Sequence, residues 1–166
     1  MSGQPQFFNF YLTQSAELLN SAAYLARLDA PTPMTRVIMS EVFKDMIRTV
    51  CHRVFRLGAM RGTGVVTVRF AVRPAEAVLK TAIETLMRDK AVACGEIWYA
   101  ADPLQFPVSL EERLRGGDRK IDTCLLVETL RIPEAEQIAA ALATEFPGTE
   151  IGVYRLLCEI TANGGP

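Results

Sequence analysis

Apolar positions along this chain follow a helical period first and a strand period later. Residues 13–28, TQSAELLNSAAYLARL, space Leu18, Leu19, Ala22, Ala23, Leu25 and Ala26 as one helix face, with Thr13 placed to cap it. DAPTP then breaks the chain at Asp29, Pro31 and Pro33. Thr32 can cap a second helix with Pro33 in its first position. Its apolar line runs Met34, Val37, Ile38, Val42, Phe43, Met46, Ile47, Val50 and Val54, so the helix is expected to last to Leu57, with Gly58 as its exit. On the other side Lys44, Arg48, His52 and Arg56 recur every fourth position as a basic stripe. Residues 1–60 thus read as an N-terminal helical hairpin segment.

After GAMRGTG the texture changes. VVTVRFAV (65–72), AVACGEIWYA (91–100), IDTCLLVETL (121–130) and EIGVYRLLCEIT (150–161) are short, β-rich stretches read as strands. Between the first two, a helix starts near Pro74 with Leu79, Ala82, Ile83 and Leu86 at helical spacing; between the last two, another starts at Pro133. SLEERLRGG makes a short helix in the loop 101–120, with Ser109 and Glu112 as a capping box and Gly116 as its stop. Two β-α-β halves close most simply as one antiparallel sheet with both helices on one face. The fold class is therefore α+β, with a ferredoxin-like βαββαβ domain over residues 61–166.

Period two then sorts the sheet faces. In the first strand Val66, Val68, Phe70 and Val72 face the helices, and Val65, Thr67, Arg69 and Ala71 face the other way. In the last strand Tyr154, Leu156, Cys158 and Ile160 are assigned to the helices; Ile151, Val153, Arg155, Leu157 and Glu159 point outward. The third strand allows either assignment. Trp98 and Tyr99 must take opposite faces. The bare face needs a cover, and three are available: a second subunit, the N-terminal helix pair, or a bound ligand or RNA.

The element order of residues 65–161 resembles that of the dimeric α+β barrel proteins, in which two such sheets face each other across a pocket. The resemblance rests on element order and carries no signature residue. It implies a homodimer with a small-molecule pocket between the sheets.

Composition narrows the chemistry. The chain has 166 residues, 49% of them hydrophobic and 22% charged, which suits one core-forming unit. A net charge of −1 gives no global attraction to nucleic acid, and the open face lacks stacking aromatics on the first strand, so nucleic acid is not the expected partner. Four cysteines without a C-x-x-C pair, and a single histidine, make a metal site improbable; no cofactor is expected. The opening MSGQPQFFNFYL does not read as a signal peptide and no apolar run spans a bilayer, so a cytoplasmic protein is expected, away from membranes. GAMRGTG follows a helix and precedes a strand, the reverse of a phosphate-cradling loop.

Arg69, Arg155 and Glu159, joined by Glu96, Trp98 and Glu128, could meet on the open face. A semi-enclosed Glu159 or Glu128 could act as acid or base, and an arginine could hold an anionic substrate. The plainer alternative is cross-strand ion pairing. Likewise the stripe Lys44, Arg48, His52, Arg56 is a partner-binding candidate, against the plainer reading of a solvated helix face. Two functions follow: a homo-oligomer that binds a small organic, anionic ligand, or a non-enzymatic module docking a partner through the basic face of the second helix.

Overall fold

Thr32 and Pro33 do start a helix, but a shorter one than the apolar spacing predicts. The computed structural model describes residues 6–160. After an extended stretch, a 3-10 turn (Ala16–Asn20) leads into α1 (Ala22–Asp29). The single helix expected over 13–28 is thus divided: the Ser21 side chain accepts from the Tyr24 N–H and begins a new helix within the run. In α2 (Pro33–Val37) the Thr32 hydroxyl accepts from the Thr35 N–H at 3.1 Å. α2 passes into one π turn (Ile38–Val42) and ends there. Asp45 adopts φ +52°, which redirects the chain.

The expected helix to Leu57 is therefore corrected. Residues Cys51–Leu57 form β1, an edge strand paired antiparallel with β3 (Val92–Ala100). The remaining strands are β2 (Gly64–Phe70), β4 (Thr123–Thr129) and β5 (Glu150–Arg155). α3 (Glu76–Leu86) and α5 (Ile132–Glu145) connect them, and α4 (Leu110–Leu114) lies in the loop before β4. As expected, the Ser109 hydroxyl caps α4 by accepting from the Glu112 N–H. The sheet has five antiparallel strands in the order β1-β3-β4-β2-β5.

Both long helices pack on one face. Val66, Val68 and Phe70 of β2, Ile97 of β3, Leu125 and Val127 of β4 and Val153 of β5 meet Leu79 and Ile83 of α3 and Ile138 and Leu142 of α5. Gly95 lets α3 approach closely: a Cβ there would lie 2.6 Å from Ile83 Cγ2. β2 faces as expected, except that Val72 lies beyond the strand and is exposed. β5 is inverted: Ile151 and Val153 face the helices and Tyr154 faces the other side. It also stops at Arg155, so Leu156, Leu157, Cys158, Glu159 and Ile160 continue past the sheet; position 161 lies outside the described residues.

The helices of residues 16–42 contribute no buried side chain. They lean on the 101–120 loop through polar contacts: the Leu110 N–H donates to Asp29 Oδ1 and the Asn20 side-chain N–H to the Gln105 carbonyl. Among the described residues no helix is long and apolar enough to cross a membrane.

Candidate functional site

The second sheet face carries a different chemistry from the first. β2 contributes Val65, Thr67 and Arg69; β3 contributes Cys94, Glu96 and Trp98; β4 contributes Cys124, Leu126 and Glu128; β5 contributes Tyr154. All are buried, Glu96 and Glu128 to 1% exposure. A buried carboxylate is costly unless paired, and both are paired. A register shift between Arg53 and Phe55 explains how. Without it Arg53 and Arg56 would point to opposite faces; with it both reach Glu96 while Phe55 packs on the helix side. Arg53 Nη1 and Arg56 Nη1 lie 3.2 and 3.1 Å from Glu96 Oε1, and Trp98 Nε1 donates to Oε2 at 2.6 Å. Glu128 accepts from the Gly62 N–H at 2.7 Å and sits 2.7 Å from Arg61 Nη1.

At the other end of the face Arg69 Nη1 donates to the Tyr154 hydroxyl at 3.5 Å, with Glu150 3.7 Å from its Nε. Between the two charged groups, Thr67 is fully buried and its Oγ1 has no hydrogen-bond partner among the described residues. Cys94 is enclosed by the first group. Burial pushes its thiol up to about 11; Glu128 and Glu96 add to the shift, and Arg56 and Arg61 oppose it. It is a packed thiol, not a ready nucleophile.

A strap lies over this face, and it is not the helix pair. In residues 7–11 Phe8 and Phe10 turn inward, while Phe7, Asn9 and Tyr11 are exposed. The Phe8 ring centroid lies 5.4 Å from that of Tyr154 and 6.3 Å from that of Trp98. The Phe10 ring meets Trp98 edge-on at 5.0 Å, and the Arg61 guanidinium stands 5.6 Å over it. Among the described residues the strap makes no backbone hydrogen bond to the sheet.

The structure gathers Arg69, Glu96, Trp98 and Glu128 on one face, as expected. It does not bring Arg155 there: that side chain is exposed at the end of β5. Glu159 lies past the strand, yet its Oε1 comes within 3.5 Å of Arg61 Nε, so it shares a cation with Glu128. The expected basic helix stripe is dispersed. Lys44 Nζ binds the Ser40 carbonyl, Arg48 donates to the Tyr24 hydroxyl, His52 pairs with Tyr99 in the sheet, and Arg56 holds Glu96. The periodic reading underweighted Arg53, Arg61 and the strap. The four aromatics crowded into FFNFYL were the available signal for the strap.

Two shallow concavities lie elsewhere, one beside α3 at Ala77 and Val78, one along α5 and β5 at Ala140 and Ile151. Among the described residues no three His, Cys, Asp or Glu side chains gather closely enough to hold a metal ion. Comparison with known proteins finds no matching family model, no matching curated protein and no matching solved structure. Fold and site together define an α+β protein with one hydrophobic and one polar, arginine-rimmed sheet face.

Proposed function

We propose that this protein is a small-molecule-binding domain of ferredoxin-like arrangement, whose ligand site is the polar sheet face beneath the strap. The order β3-β4-β2-β5, with α3 and α5 on one side and β1 added at the edge, supports the ferredoxin-like reading. One observation carries the site: charged, hydroxyl and aromatic side chains are buried together under a segment that meets them mainly through rings. A face built only for stability has little use for a buried Thr67 hydroxyl that has no partner among the described residues. The reading is one of binding. Both oxygens of Glu128 are engaged, by Arg61 and by the Gly62 N–H, which leaves it little freedom to exchange a proton with a substrate.

A second reading is self-association. Met34, Val37, Val42 and Phe43 are exposed large apolar groups on a segment without buried side chains. Native mass spectrometry of the freshly purified protein separates the two. A bound organic acid lost in an Arg53→Ala variant that circular dichroism shows folded supports the site; a ligand-free dimer dissociated by Met34→Ser with Val42→Ser supports self-association instead.

A further inference from the structure

We infer that the strap is an internal occupant of this site, and that the ligand it stands in for is a planar aromatic anion. The inference rests on the binding reading above and adds the ligand class and its competitor. Phe10 is held as a bound ring would be, with the Trp98 ring on one side and a guanidinium on another. Both contacts are available to any flat aromatic group of similar size.

The anionic part follows from the rim. Arg61 stands over Phe10, and Arg53 and Arg56 reach Glu96 beside Trp98; their side chains are 29–39% exposed, and their three charges are met by Glu96, Glu128 and the more exposed Glu159, so an anion would be recognised through spare donors rather than excess charge. Each guanidinium has five N–H donors, and Arg53 gives only one to Glu96. Spare donors in a fork geometry suit a carboxylate. Displacing Phe10 therefore opens a ring slot beside an arginine rim. The strap sets the cost: apparent affinity falls by the fraction of molecules in which the slot is free.

Phenylacetate is a suitable probe, with phenylacetamide and cyclohexylacetate as the neutral and non-aromatic controls, measured by isothermal titration calorimetry. Phe10→Ala is expected to bind phenylacetate at least about tenfold more tightly than the unaltered protein. Both controls should bind more weakly than phenylacetate, and Arg61→Ala in the Phe10→Ala background should lose the gain. In the unaltered protein, phenylacetate should speed chymotryptic cleavage at Phe8 and Phe10 as the strap leaves. Equal affinities of the two proteins, with binding still dependent on Arg53 and Arg56, would overturn the strap inference and leave the site standing. If phenylacetate and other organic acids bind neither protein, site and strap inference fall together. Should circular dichroism show Phe10→Ala unfolded, Phe10→Leu keeps the apolar volume without the ring; an unchanged affinity there overturns the inference equally.

Discussion

Glu96 shows how a single buried charge organises its surroundings. Two arginines share its Oε1, so either can in part cover for the other. Each arginine is partly exposed and can return to water when its partner is lost. Arg53→Ala and Arg56→Ala should each cost about 1 kcal/mol. The double variant leaves Glu96 with only the Trp98 N–H and should cost about 3–5 kcal/mol. Urea denaturation of the four proteins checks the cycle, and additive losses would show that the arginines act independently.

The buried thiols predict a pH effect at the same scale. Burial raises Cys94 from its usual 9.0 to about 11, and Cys124 to about 12. Between these limits the unfolded chain has released the protons and the folded chain still holds them. The contribution to stability is therefore complete below about pH 9 and lost as pH rises toward about 11. Urea midpoints measured from about pH 8 to about pH 11 should fall, and should fall less steeply in Cys94→Ala. Parallel curves would remove Cys94 as a cause.

At the scale of elements, the sequence was legible where one period excluded the other. α3 and α5 bury long helical stripes behind a proline start or turn, and β2 buries β-branched residues on alternate positions. Residues 44–57 were not of this kind. A spacing of four is a multiple of two as well as a near match to the helical repeat, so Lys44, Arg48, His52 and Arg56 fit a strand as well as a helix. The β-branched run around Val50 and Val54, and an available edge on β3, decided for strand. The register shift within β1 then put Arg53 and Arg56 together, which no strict period predicts. β5 was assigned the wrong way round because Leu156, Cys158 and Ile160, which lie past the strand, lengthened the apolar line that includes Tyr154. Gly152 indicates the difference: a Cβ there would lie 2.5 Å from the Tyr154 ring, so the small residue makes room for the aromatic on the strap side. Local pattern says nothing of residue 10 meeting residue 98, and the strap could be recognised only from its density of aromatics.

For the whole molecule, the consequence is that the first sixty residues complete the sheet and close its polar side. β1 supplies Phe55 to the hydrophobic core and both arginines to Glu96, while Phe8 and Phe10 cover Trp98 and Tyr154. A fragment beginning at Arg61 would keep β2 to β5, α3 and α5, and with them most of the core. It would also expose Trp98, Leu126 and Tyr154 at once and strand Glu96 without a cation. Burying a lone carboxylate is worth several kcal/mol of destabilisation, on the order of the whole stability of a domain this size. The fragment should therefore unfold at lower urea than the full chain, with a broadened transition, and should bind a hydrophobic dye that the full chain excludes. Adding back residues 44–60, and so β1, should restore cooperativity ahead of dye exclusion, because the ion pairs return before the aromatic cover does. A fragment from Arg61 with the full chain's urea midpoint and no dye binding would mean that the polar face is stable in water on its own, and the strap and β1 would then be ornaments on a self-sufficient sheet.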